Sequence, residues 1–314
     1  MHVWLGFLAA SLCAGQMIIS AVVNSANGQA YTAPGAIVSI YGSNLATSAI
    51  GASSLPWPTV LGNTSVRVCA QGACQDAPLL FASPGLINTV LTGVYGAAAA
   101  TIQVQAGNSV TSLAPITVSP SAPAIYEEGY DCPFEPSWGP PAPCGLLATF
   151  STTPQPFRGA ITDLAGNIIQ SANPARVGQV YTIWGTGLGF SQSGALPSPT
   201  PPFISITHES LYGFTVYLGV GTYKDTFGNP EFVVNYVGPS PTYQGLDQLN
   251  FEMLPAFFGV DGVIAPPPYA CGVLKYELTL TIAAQSQFGI VPEFPVSIQL
   301  PVLIEPGDIP CNQP

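Results

Sequence analysis

The phrase IVSIYGSNLA at residues 37–46 returns as VYTIWGTGLG at 180–189, each a β-branched, apolar run that ends in a glycine, a short polar pair and a leucine. A chain that writes one structural phrase twice must fold twice in the same way. The flanking blocks repeat in the same order. VVNSAN (22–27) precedes the first phrase and IIQSAN (168–173) the second. SVRVCA (65–70) and SPGLINTVL (83–91) follow the first, answered by FTVYLGV (214–220) and YQGLDQLNFEML (243–254), which sets Asn88 against Asn250. This order predicts a tandem duplication, and 314 residues suffice for two domains that each bury a core.

The repeated unit reads as all-β. With 33 Gly and 33 Pro, the apolar residues fall into short packets separated by turn formers, and good helix formers are scarce. Strands are expected at 36–41, 64–69, 86–92, 100–106 and 111–118 in the first copy. The second gives 158–162, 166–170, 179–184, 214–219, 232–237, 247–253, 273–283 and 294–304. Many short strands at this spacing predict β-sandwiches of immunoglobulin-like topology. Within IVSIYGSNL, Ile37, Ser39 and Tyr41 face one way and Val38 and Ile40 the other. Gly42 is expected to take a backbone conformation closed to side chains, and Leu45 to fold back as a plug on the core. Trp184, Gly185 and Leu188 repeat the arrangement.

The run from Pro34-Gly35 through the apolar strand to Gly42-Ser43-Asn44-Leu45 resembles the opening of IPT/TIG domains. The full order of VVNSAN, PGAIVSIYGSNLA, LLFASPGLINTVL, AITDLAGNIIQSANPARVGQVYTIWGTGLG and LDQLNFEML resembles the Solibacter-type uncharacterised C-terminal domain family, over roughly residues 18–304. That resemblance implies two tandem immunoglobulin-like (IPT/TIG-like) β-sandwich domains of an exported bacterial protein. It brings no established activity, so no catalytic residue transfers. The Cys132 to Cys144 insertion departs from the pattern, as does the lack of a large upstream domain. The expected division is a signal peptide at 1–15, a first domain at 16–120, a linker with a Cys-closed, Pro-rich insertion at 121–156, and a second domain at 157–314.

The amino terminus points to export. Residues 3–15 have the length and apolarity of a signal's hydrophobic region, and Cys13-Ala14-Gly15 offers small residues for cleavage. Gly28-Gln29-Ala30 is a second candidate for cleavage, but the repeat requires Val22 and Val23 in its opening strand, which favours the first. An uncleaved membrane anchor reaching Val23 is the competing reading, roughly 20 apolar residues being just long enough. Without Cys13, the remaining cysteines form local pairs: Cys69 with Cys74, Cys132 with Cys144, and Cys271 with Cys311. Sequence does not fix that connectivity. Local closure is the simplest scheme, and a secreted or cell-surface location follows from it.

The net charge of −11 and the scarcity of Lys and Arg, five in all, disfavour nucleic acid, whose phosphates need cations. Motifs of chemistry are equally sparse. His208 is the single histidine beyond the signal, and its strand neighbours point to the opposite face. Glu127 and Glu128 are adjacent on a loop, and Asp247 and Glu252 lie in a repeated strand without a catalytic setting. DLAGN (163–167) and DTFGN (225–229) carry oxygen ligands but lack the further carboxylates of a calcium loop, so they read as turns. No Cys-x-x-Cys pair marks a zinc site. No catalytic residue, cofactor or metal is expected. The remaining signal is aromatic: Trp57, Tyr130, Phe134, Trp138 and Tyr223 are candidate ligand-binding residues on loops. Tyr212 and Tyr243 are weaker loop candidates, and Trp184 reads as core. The expected function is a non-catalytic structural, adhesion or protein-binding module, with an unidentified extracellular protein or polysaccharide as partner. Carbohydrate binding through the loop aromatics is the alternative.

Overall fold

The structure is a computed structural model that describes residues 16–127, 157–188, 203–208, 215–218, 221–224, 230–254, 274–285 and 292–304. The expected signal peptide at 1–15, and Cys132, Cys144, Cys271 and Cys311, lie outside the described residues. Every regular element described is a strand. The first copy supplies β1 (Ile18–Asn24), β2 (Tyr31–Thr32), β3 (Ile37–Ser43), β4 (Ile50–Gly51), β5 (Val60–Leu61) and β6 (Thr64–Ala70). It continues with β7 (Ala73–Asp76), β8 (Leu79–Ala82), β9 (Leu86–Val90), β10 (Ala99–Ala106), β11 (Ser109–Val110) and β12 (Ala114–Val118). The second copy supplies β13 (Ala124–Ile125), β14 (Phe157–Arg158), β15 (Ile161–Asp163), β16 (Ala175–Arg176), β17 (Val180–Thr186) and β18 (Phe203–His208). It continues with β19 (Thr215–Leu218), β20 (Gly221–Lys224), β21 (Pro230–Pro239), β22 (Asp247–Met253), β23 (Leu274–Gln285) and β24 (Pro292–Ile304).

Two sheets build the first copy, in the orders β1-β3-β9-β8-β4 and β2-β12-β10-β6-β5. Alternation along each strand explains why they stack: Val38, Ile40, Leu79 and Ile87 of one sheet share a buried core with Val66, Val68, Ile102 and Val104 of the other. The second copy repeats the plan, with sheets β13-β17-β22-β21-β20 and β14-β24-β23-β18-β19. Here β17 takes the place of β3 and β22 that of β9. The short parallel pairing of β2 with β12 returns as β16 with β24.

The duplication extends to side chains. Ser39 lies opposite Asn88, and its hydroxyl donates to Asn88 Oδ1 at 2.9 Å. Thr182 lies opposite Asn250, and its hydroxyl donates to Asn250 Oδ1 at 3.0 Å. A hydroxyl facing an amide across two strands is thus written once per copy. Leu45 and Leu188 are both buried, as the plug reading expects. Gly42 and Gly185 differ from expectation in their reason. Neither has a positive φ. A Cβ on Gly42 would run into the Ile18 carbonyl, and one on Gly185 would lie 2.6 Å from the Ala124 carbonyl. The glycine therefore admits the neighbouring strand rather than an unusual turn.

Register locates the insertion. In the first copy β1 runs beside β3 from Ile18↔Ser43 to Asn24↔Val38, with a bulge between Ile19 and Ala21. In the second copy that single strand is split. β13 covers Thr186 and Gly185, and β15 covers Ile183 to Tyr181. Glu127 bridges Gly159 at the break. The Pro-rich segment therefore interrupts the first strand of the second copy instead of separating the copies, and the stretch assigned to a linker from 121 already carries strand β13. A bulge already leaves one residue out of the ladder, so an insertion there removes little pairing.

Two blocks of the sequence repeat are also reassigned. FTVYLGV lies on β19, while the strand that pairs with β23 as β6 pairs with β10 is β18, FISITH. IIQSAN forms isolated bridges, Thr162↔Ile168 and Gln170↔Asn173, rather than a strand at 166–170.

The Cys69–Cys74 disulfide is formed, with S–S 2.08 Å, across the β6–β7 hairpin. Closing so short a loop constrains the unfolded chain modestly. Replacing both cysteines with serine is expected to lower stability by about 2 kcal/mol, read from urea unfolding of the two forms. No loss would mean the bridge restrains nothing that the hairpin does not already hold.

Candidate functional site

The two copies meet end to end, and Asn24, Ser25 and Thr186 are among the polar residues buried at the meeting place. Ile37, which opens β3, donates its N–H to Thr186 Oγ1, which closes β17, at 2.8 Å. Thr186 Oγ1 in turn donates to the Gly245 carbonyl at 2.8 Å. Since β3 and β17 are counterparts, the start of one copy's strand rests on the end of the other's. The stacking is head to tail. A second apolar cluster seals it, joining Ala26, Ile37, Leu80 and Val90 of the first copy to Ala124, Tyr126, Ala160 and Leu246 of the second.

The local chain explains how each group arrives. Tyr126 follows β13, so the pairing of Ala124 and Ile125 with β17 carries its ring into the seam. Its hydroxyl shares a 2.7 Å hydrogen bond with Ser25 Oγ. Burial pushes this phenol well above the ordinary tyrosine range, against the opposing effect of the Ser25 bond, and nearby Asp247 pushes it further up. The loop before β22 lays Gln244, Gly245 and Leu246 against the first copy. Trp57 is held there twice: its backbone N–H donates to Gln244 Oε1, and its indole N–H to the Gln244 carbonyl, both at 3.2 Å.

Asp247 begins β22 and is buried. Its Oδ2 accepts the Leu188 N–H at 2.8 Å. Burial raises its carboxyl to about 8, and the N–H groups of Leu188 and Gly187 act in the opposite direction. The first copy satisfies the equivalent donor differently: Leu45 N–H goes to the Pro84 carbonyl at 3.0 Å.

The residues singled out from sequence fall into separate places. Trp57 is part-buried in the seam, with Trp184 and Tyr243 packed against the same cluster. Trp184 also donates its indole N–H to Thr162 Oγ1 at 2.9 Å. Tyr223 lies on β20 opposite Phe232, and His208 on β18 opposite Leu280, as backbone positions. Tyr130, Phe134, Trp138, Tyr212, Glu128 and the 225–229 turn lie outside the described residues.

The DLAGN turn closes on itself. Asp163 Oδ1 accepts the N–H groups of Ala165 and Asn167 at 2.9 and 2.8 Å, and Oδ2 accepts Asn167 Nδ2 at 2.9 Å. Slight burial acts to raise the Asp163 carboxyl, but the bonds from Asn167, Ala165 and Gly166 prevail and hold it below the usual range. Its oxygens face N–H donors, the geometry of an Asx turn. Among the described residues, no group of three or more His, Cys, Asp or Glu is gathered as metal ligands would be. No helix among them is long and apolar enough to cross a membrane.

Thr186, Gln244 and Gly245 were not singled out from sequence. Their roles depend on contacts made 149 and 187 residues away, for which no local pattern exists.

No family model matches the chain. No curated protein matches it either. Among solved structures it is similar to the extracellular region of plexin A4, at 9% identity and TM-score 0.22, over 96% of this chain and 20% of that one. It is similar to Escherichia coli α2-macroglobulin at 10% identity and TM-score 0.22, over 97% and 23%. A Ca2+-stabilised adhesin of an Antarctic bacterium follows at 10% identity and TM-score 0.20, over 93% and 50%. The chain thus spans about a fifth to a half of these proteins. At such TM-scores the fold stands on its own strands and register.

Proposed function

We propose that the chain acts as an exported, non-catalytic immunoglobulin-like module at the cell surface or outside the cell, serving a structural, adhesive or protein-binding role. The head-to-tail seam is the observation that carries this reading. It fixes two sandwiches in one relative placement through a shared apolar cluster and hydrogen bonds made by Thr186, Tyr126 and Trp57. A scaffold that presents loops at set distances needs such an arrangement. The polar side chains that first invite a chemical reading support it too. Asp163 holds a turn, Asp247 holds the chain that leaves β17, and Asn88 and Asn250 hold strand pairs. The Cys69–Cys74 bridge suits an oxidising compartment.

The test presents the purified chain, immobilised, to a panel of extracellular proteins and to a polysaccharide array. Saturable binding of a surface or matrix protein, with no polysaccharide retained, is the expected result. Polysaccharide binding that disappears in Trp138→Ala would replace this reading with the carbohydrate-binding one. Hydrolytic turnover of a presented glycan or peptide would overturn both.

A further inference from the structure

The end of the first copy that enters the seam has a counterpart at the far end of the second. Register fixes the correspondence. Because Ser39 opposite Asn88 matches Thr182 opposite Asn250, Asn24 matches Asp163, Ile37 matches Val180 and Val90 matches Glu252. The turns agree. Asn24 Oδ1 accepts the Ala26 N–H and Asp163 Oδ1 the Ala165 N–H, each at 2.9 Å. The carbonyls of Asn24 and Asp163 accept the N–H groups of Gly28 and Gly166 at 2.9 and 3.0 Å. Both are Asx turns closing the first strand, so Ser25 matches Leu164 and Ala26 matches Ala165.

The two turns differ in what covers them. Ser25 and Ala26 are each 2% exposed, because Tyr126 bonds the one and packs with the other in the seam cluster. Leu164 is 77% exposed, the most exposed large hydrophobic side chain among the described residues, and Ala165 beside it is exposed too. Val180 and Glu252 are half-buried.

We infer that this far end of the second copy is a docking face for the end of an immunoglobulin-like sandwich of another protein, one that presents an apolar side chain to Leu164 and a cation to Glu252.

The seam supplies the argument for that occupant, contact by contact. Thr186 Oγ1 receives the Ile37 N–H, and a hydroxyl at the same place in the partner would receive that of Val180. Tyr126 meets Ser25 through its hydroxyl, but Leu164 has no polar atom on its side chain. The partner therefore meets it with an apolar group. Gly245 lies against Val90, where the second copy has the carboxylate of Glu252. A carboxylate enclosed at a contact requires a compensating charge, so the partner carries a cation there.

A second copy of this chain does not meet those requirements. Its free end, at the first copy, has Ser43, Ser83 and Pro84 in the places of Thr186, Gly245 and Leu246. Only the hydroxyl is repeated. Arg67 is the single Lys or Arg of the first copy, and it pairs with Asp76 on the β6–β7 hairpin.

This inference rests on the protein-binding reading above and names the face and the partner. The immobilised full chain is presented to purified extracellular proteins that contain immunoglobulin-like sandwiches and to others that contain none. A sandwich protein should be retained, at least about tenfold more weakly by Leu164→Arg, while Leu113→Arg, at an exposed site of the first copy, leaves its binding unchanged. Glu252→Gln should flatten the salt dependence of that binding. A benzophenone amino acid at position 164 should crosslink to the end of a sandwich in the retained protein. Crosslinking instead to residues 255–273 of the same chain, or to a second copy of it, would overturn the inference. So would retention undiminished in Leu164→Arg, or retention only of proteins without a sandwich, and either result would leave the protein-binding reading standing. Retention of no protein at all would overturn both.

Discussion

Gly245→Val is expected to lower the stability of the chain by about 2–5 kcal/mol, measured by urea unfolding, and to disturb the seam more than either core. Gly245 has φ +84, where an ordinary side chain is strained by about 1–2 kcal/mol. It also sits against the first copy: an added Cβ would lie 2.7 Å from Val90 Cγ2 and 2.8 Å from Ile37 Cγ1. Overpacking of that kind adds about 1–3 kcal/mol. Gly166 separates the two contributions, because it has the same φ of +84 and nothing within 4 Å of an added Cβ. Gly166→Val should show the backbone part alone. Equal losses at both positions would mean that Gly245 does not touch the first copy.

Tyr126→Ala carries the second large effect, an expected loss of about 3–5 kcal/mol. The ring is almost wholly enclosed, at 1% exposure, in the cluster shared by Ile37, Leu80, Val90 and Leu246. Truncation leaves a cavity there and deprives the buried Ser25 hydroxyl of its partner. Tyr126→Phe keeps the ring and removes only the hydrogen bond, so about 1 kcal/mol is expected. Thermal unfolding of the pair gives the ranking. A residue in a solvated linker, where the sequence alone puts Tyr126, would change stability by less than about 0.5 kcal/mol on either substitution.

That contrast shows what the sequence carries and what it does not. The duplication was legible because the copies share the local devices that any sandwich of this plan needs: the strand with its admitting glycine, the leucine plug, and the paired Asn88 and Asn250. Strands were legible for the same reason, through alternation and punctuation by Gly and Pro. The seam was not legible, because the residues that make it are those in which the copies differ. Thr186 stands where the first copy has the exposed Ser43, and Tyr126 falls where β1 has only a bulge. Trp57 looked like a loop aromatic offered to a ligand, since nothing near it in sequence announces Gln244. The misassigned block has a different cause. β18 shares register with β6 but little sequence, whereas its hairpin neighbour β19 happens to share both a β-branched run and its spacing.

Stacking head to tail has a consequence for assembly. A heterologous contact between copies extends without limit only when each free end still carries the complementary surface. The free end of the first copy presents Ser43 and Pro84 where the docked end of the second presents Thr186 and Leu246, so the apolar half of the contact is not repeated there.

The most direct measurement is a nuclear Overhauser experiment on the methyl-labelled chain, reading contacts from the Gly245 α-protons. Cross-peaks to the methyl groups of Ile37 and Val90 are the predicted result, since those side chains lie within van der Waals reach of Gly245 across the seam. Their absence, in a sample where Ile40, Ile87 and Ile102 still show the contacts of the first copy's core, would contradict the head-to-tail docking of the two copies.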